Sequence, residues 1–189
     1  LWRRSNPWTG PVRAVRLLLG LRGDIGLKRL GYWPAVGFYL GFVWFQMISL
    51  YPDEPAVLAR AALVYWGVIF ALAVAEGEEF LERGEFLTVL FGFVARIAPL
   101  WAEVSGASVR RMAGWPGAQV LAMETLPRSA LVFLALALAA LTFEGLNETF
   151  WWQGLIGQNP LEPVGRSAVV WQNSLGVLAV FALTLASLW

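Results

Sequence analysis

Two long apolar runs, separated by a string too short to do anything but turn back, constrain this chain more than any other feature. Tyr32 to Leu50 has only Gln46 and Ser49 as clear polar interruptions, and Ala56 to Ala75 carries Arg60 as its one charge. Between them stand Tyr51, Pro52, Asp53, Glu54 and Pro55, a run of breakers. At the rise of an α-helix the first run reaches roughly 28 Å, about one hydrocarbon thickness of a bilayer. The pair therefore predicts an antiparallel helical hairpin in a membrane. Arg60, one turn inside its end of the second run, lays its stem along the apolar surface with its head in the interface.

Two further runs extend the pattern. Ser129 to Leu146 is dense in Ala and Leu, and Ser174 to Trp189 is the fourth apolar stretch, still apolar where the sequence stops. The sequence starts at Leu1 and ends at Trp189 with no polar flank, so it reads as cut at both ends, and no removable signal peptide is evident. Composition agrees with a membrane class: hydrophobic residues make up 58% of the 189 residues, charged ones 14%, and there are 11 Trp. Soluble domains carry about 25% charged residues, and indole rings favour the headgroup boundary, where Trp151 and Trp152 are expected to anchor the segment 147–172.

Residues 1–31 hold Arg3, Arg4, Arg13, Arg16, Arg22, Lys28 and Arg29 against one acid, Asp24. The positive-inside rule places this basic arm on the cytoplasmic side, with Val12, Val15, Leu18, Leu19 and Leu21 able to rest on the lipid interface or the arginines to touch anionic lipid. The remainder, 32–189, reads as one transmembrane domain. A net charge of +1, with the cations gathered in one place, argues against nucleic acid as a partner. The partners implied are the lipid bilayer and further membrane subunits or spans.

Glu76 to Trp101 is the stretch on which the layout turns. Read as one helix over 78–98, it places Glu78, Glu82, Glu85, Thr88 or Val89, Gly92 and Arg96 three or four apart, with apolar residues covering most of the rest. If it crossed the bilayer, Arg110, Arg111 and Arg128 would fall outside, against the charge rule. The count favours an amphipathic helix lying in the interface or dipping in and out. Residues 102–128, rich in Gly and Pro, read as a cytoplasmic connection with one short helix. The fold class expected is all-α: a polytopic transmembrane helix bundle with an interfacial or re-entrant amphipathic helix.

Absences limit the chemistry. With no Cys and no His, thiolate chemistry, imidazole catalysis and His or Cys metal sites are excluded. Lys28 is the only Lys, so no hydroxyl nucleophile has an obvious activating base, and no GxxxxGK[ST] or GxGxxG turn supports nucleotide binding. Clustered carboxylates from Glu76 to Glu85 offer hard oxygen donors, but a solvated acidic face capping the second run is the simpler account, so no metal and no cofactor is assigned. The Glu78, Glu82, Glu85 and Arg96 stripe is the candidate polar path or docking face. Near the outer face, Glu144 and Glu148 are expected to pair with Arg166 or Arg60, and Gly37 and Gly41 form a small-xxx-small pair suited to helix packing. Asn147, Glu148 and Thr149 match an N-glycosylation pattern too short to weigh.

Three stretches taken together, SNPWTGP with GYWPA, ERGEFLTVLFGFVARIAPLW, and TFEGLNETFWW with IGQNPLE, resemble a family of bacterial polytopic inner-membrane proteins that often carry the name fenitrothion hydrolase. The resemblance covers most of the chain. It implies a bacterial inner-membrane location and an organophosphate-ester hydrolysis whose catalytic residues lie partly outside this sequence, so no catalytic position is carried over. Two functions follow: a permease-like or scaffold component, and, as the alternative, a membrane-embedded hydrolase.

Overall fold

The computed structural model describes residues 6–105, 108–123, 125–159, 161 and 165–188. Trp2, Arg3, Arg4 and Trp189 lie outside the described residues. The chain is mostly helical. Three helices are long and apolar enough to cross a membrane, α3 (Pro55–Glu76), α7 (Arg128–Asn147) and α9 (Arg166–Ser187). A shorter apolar helix, α2 (Trp33–Ile48), is 16 residues long, or about 24 Å. Local chemistry sets these boundaries. Pro34 and Pro55 occupy the first turns of α2 and α3, where a missing N–H costs nothing. Gly77, at φ 114°, closes α3 in a conformation that favours glycine.

The remaining elements are α1 (Thr9–Leu18), a 3-10 turn (Leu27–Leu30), α4 (Phe80–Arg83), α5 (Phe86–Ala95), a hairpin of β1 (Leu100–Ser105) and β2 (Ser108–Ala113), α6 (Ala118–Leu121) and α8 (Phe150–Leu155). The hairpin is a departure from the reading of 102–128 as a connection with one short helix, within a chain that stays mostly helical. Its strands pair antiparallel, with Trp101 opposite Met112 and Glu103 opposite Arg110. Leu100, Trp101, Ala102 and Glu103 follow Pro99, which disfavours helix in the residue before it, and large side chains then alternate faces with a period of two.

Helix α7 is the hub. It packs against both α2 and α9, and 44% of its most apolar 18 residues are buried, against 17% for α9 and 11% for α3. Phe133, Leu136, Ala140 and Phe143 of α7 meet Tyr39 and Val43 of α2 and Val177 of α9 in the main core. Gly176 of α9 faces this core because nothing larger fits. A Cβ there would fall 2.4 Å from the Phe143 ring and 2.6 Å from Trp152.

Helices α2 and α3, expected as a simple hairpin, are bridged by the ring of Phe86 at the start of α5. Its centroid lies 5.5 Å from Tyr39, 5.3 Å from Phe42 and 5.3 Å from Tyr65. A second core joins the N-terminal arm to α3. Trp8 and Val12 are buried against Ile69, Ala73, Phe80 and Leu81, so the arm is a packed part of the fold rather than an appendage.

Candidate functional site

The helix expected over 78–98 is broken in two at Gly84 and Glu85. Glu85 has extended backbone angles and is the N-cap of α5: its carboxylate accepts the N–H of Leu87 at 2.9 Å and of Thr88 at 2.6 Å. The Thr88 hydroxyl and the Tyr65 hydroxyl of α3 also donate to it. The side chain is completely buried. Asn6 extends the network, its Nδ2 donating to Thr88 Oγ1 at 3.2 Å while its Oδ1 accepts the Trp8 N–H at 3.0 Å. Trp8 Nε1 in turn donates to the Trp66 carbonyl at 3.2 Å. Four donors from this chain therefore fill the Glu85 carboxylate, and α1 and α5 both begin beside Tyr65 and Trp66, midway along α3.

The other stripe residues part company at that break. Glu78 forms a two-pronged pair with Arg13, at 2.8 and 2.9 Å. Glu82, Thr88, Gly92 and Arg96 do share a face, lining with Tyr32 a pocket of about 80 Å³, and the Arg96 guanidinium lies 5.7 Å from the centroid of the Phe93 ring. Glu85 does not line that pocket and reaches it only through its bonds to Thr88. Among the described residues no group of three or more acidic side chains is placed to hold a metal ion.

At the opposite end, Glu144 and Glu148 are exposed and do not pair with Arg166 or Arg60 as expected. Arg166 Nη1 donates to the Gln46 and Ser49 carbonyls at 2.9 and 3.3 Å, satisfying the end of α2, and its Nη2 lies 4.0 Å from Asp53. Arg60 Nε donates to the Ala56 carbonyl of its own helix at 3.1 Å. Gly37 and Gly41 are exposed, and a Cβ at either would meet nothing within 4 Å, so their face packs against no described residue.

Where the arm meets the end of α3, charges line an open cleft of about 520 Å³. The Glu76 carboxylate accepts the backbone N–H groups of Ile25, Leu27 and Lys28 at 3.0, 2.9 and 2.8 Å. Arg16 clasps the Val74 carbonyl at 2.6 Å and the Gly23 carbonyl at 2.8 Å. Lys28 and Asp24, four residues apart in sequence, pair at 2.6 Å. The hydrogen bond to Glu78 and its charge raise the pKa of Arg13, and the bond and charge shared by Asp24 and Lys28 lower the one and raise the other. All three side chains are exposed, and these shifts favour their charged forms.

Sequence reasoning missed the partners that complete these sites. Tyr65 is an apolar-run tyrosine with no local signal, and Asn6 and Trp8 stand far from Glu85 in sequence. Asn173 is buried in α9, accepting the Trp152 Nε1–H at 2.9 Å and donating to Asn147 Oδ1 at 3.4 Å. Asn6 and Trp8 thus meet the ERGEFLT stretch in space around Glu85. No protein-family model, curated protein or solved structure matches the chain.

Proposed function

We infer that this chain is a polytopic structural component of a bacterial cytoplasmic membrane, in which α2, α3, α7 and α9 cross the bilayer and α1 and the α4–α5 pair enter it halfway from the cytoplasmic side. The observation that carries this reading is α3, a 22-residue helix whose most apolar 18 residues are only 11% buried, a surface that needs an apolar solvent or neighbour. Helix α2 is short, but its ends are level with its long neighbours. The Tyr32 N–H donates to Ser129 Oγ at the start of α7, and Arg166 at the start of α9 holds its last carbonyls.

Charge supports the orientation. Arg13, Arg16, Arg22, Lys28, Arg29, Arg83, Arg96 and Arg128 belong with the start of α2 and the end of α3, while at the other end Arg60 and Arg166 stand with Asp53, Glu54, Glu144 and Glu148. By the positive-inside rule the first group is cytoplasmic. Helix α5, about 15 Å long, is too short to cross and returns from the level of Tyr65 to that of Tyr32.

A scaffold role is favoured over a permease by what occupies the middle. Half-helices that start at mid-depth usually direct their N-terminal dipoles at a transported ion. Here that position holds the chain's own Glu85, its oxygens filled by four donors.

The test is topology and leak together. The chain has no native Cys, so single cysteines at Asp53 and Glu148 should react with an impermeant maleimide in intact cells, and those at Arg29 and Arg110 only after permeabilisation. Alkaline carbonate should leave the protein in the membrane, and proteoliposomes should hold a proton gradient as well as empty ones. Release by carbonate, or labelling of both groups from one side, refutes the membrane reading. A gradient dissipated by the native chain and held by Glu85→Gln refutes the scaffold role.

A further inference from the structure

The cleft between the arm and the end of α3 leaves an unusual remainder of charge. Of its cationic lining residues, Arg13 is bound to Glu78, Arg16 to two carbonyls and Lys28 to Asp24. Of its acids, Glu76 is held by three backbone N–H groups. What remains around the opening, with no side-chain hydrogen bond or ion pair among the described residues, is one cation, Arg22, and one anion, Glu79, whose charge reaches Lys28 without bonding it. Both are exposed. Leu17 and Leu21 form the apolar part of the rim, with Leu17 76% exposed, and Leu18 and Leu19 continue that exposed row.

The height of the cleft is fixed by its bonds. Arg16 holds the Val74 carbonyl and Glu76 holds the Ile25 to Lys28 backbone, so the opening is level with the end of α3. If α3 crosses the bilayer, that level is where apolar chains give way to headgroups.

We propose that this cleft binds the headgroup of a zwitterionic phospholipid with a primary amine, of the phosphoethanolamine class. Arg22 takes the phosphate, for which a guanidinium is well shaped. Glu79 takes the ammonium, and the acyl chains run over Leu17 and Leu21. A purely anionic lipid would satisfy Arg22 and leave Glu79 facing a like charge, and a methylated amine would offer Glu79 no N–H to bind. The cleft is therefore selective for both charge balance and donor chemistry, unlike a generic basic patch. The proposal rests on the membrane reading given above.

The experiment is native mass spectrometry of the full chain in detergent, titrated separately with phosphatidylethanolamine, phosphatidylcholine and phosphatidylglycerol, for the native protein and for Arg22→Gln and Glu79→Gln. Native protein should retain phosphatidylethanolamine at least about tenfold better than either competitor, the lower end for one hydrogen bond to a charged group. Arg22→Gln should weaken retention of all three phospholipids. Glu79→Gln should lose the preference over phosphatidylglycerol while keeping the fold, as read by circular dichroism. Equal or tighter binding of phosphatidylglycerol by the native chain, or a Glu79→Gln variant with unchanged preference, overturns the site and leaves only basic attraction. Failure of the membrane reading would show separately, as release of the protein by carbonate. Retention in the membrane without lipid preference removes the headgroup site alone.

Discussion

Replacing Glu85 by Ala tests whether the middle of this protein is built around a filled carboxylate. The substitution removes the N-cap of α5, worth about 1 kcal/mol, and takes the acceptor from two hydroxyls, those of half-buried Tyr65 and Thr88, that point at the completely buried Glu85 carboxylate. Each buried hydroxyl left without a partner costs about 1–3 kcal/mol. The sum is about 3–7 kcal/mol, and because the Thr88 hydroxyl can rotate to another acceptor, the lower end, about 3 kcal/mol, is expected. For a chain of this size that lowers the melting temperature by about 6–12 °C. Tryptophan fluorescence of detergent-solubilised protein during heating reads the shift directly. Tyr65→Phe removes one donor and leaves three, so it should cost about 1 kcal/mol. In the double variant no Tyr65 hydroxyl remains to be stranded, so the two losses should add to less than their sum. A Glu85→Ala shift below about 2 °C, or strict additivity with Tyr65→Phe, would refute the reasoning, since either means the carboxylate is solvated or unpaired.

Three further outcomes follow from the same contacts. Gly176→Ala should destabilise by about 1–3 kcal/mol and alter near-ultraviolet circular dichroism, because its Cβ would overlap the Phe143 and Trp152 rings at 2.4 and 2.6 Å. Asn173→Leu should cost about 1–3 kcal/mol by leaving the Trp152 N–H unpaired, and adding Trp152→Phe should recover part of that loss. Glu76→Ala frees the backbone of Ile25, Leu27 and Lys28, so trypsin should cleave after Arg22, Lys28 and Arg29 at a rate about tenfold higher, while the melting of the main core changes little.

The long helices were legible because their signal is local. The expected runs at 56–75 and 129–146 agree with α3 and α7 to a residue or so at each end. Helix α9 starts at Arg166 rather than Ser174, because Arg166, Gln172 and Asn173 make the segment look polar. In the fold those polar groups have specific tasks: Arg166 holds the end of α2 and Asn173 binds Trp152. Residues 78–98 failed as a single helix for a similar reason. Spacing of three and four marks a face only where the helix is continuous, and Gly84 followed by a capping acid is a start signal that could have been read as such. Leu87 and Thr88 were within reach of that signal. Tyr65, Asn6 and Trp8 were not, because nothing short-range ties them to Glu85.

Why the arm and the α4–α5 pair enter the fold at all follows from hydrogen-bond satisfaction. A helix that begins midway along α3 exposes several backbone N–H groups where water is scarce. Two such starts lie together here, and each has a side-chain oxygen of its own, Asn6 Oδ1 at the Trp8 N–H and Glu85 at the Leu87 and Thr88 N–H groups. The Asn6 to Thr88 bond then locks one start to the other. Either segment alone would leave part of this network unfilled, so the N-terminal arm and the central pair are expected to dock and to come loose together. Asn6→Ala should therefore raise proteolysis at both the arm and the α4–α5 turn near Arg83, and cleavage confined to the arm would show that the two segments are held independently.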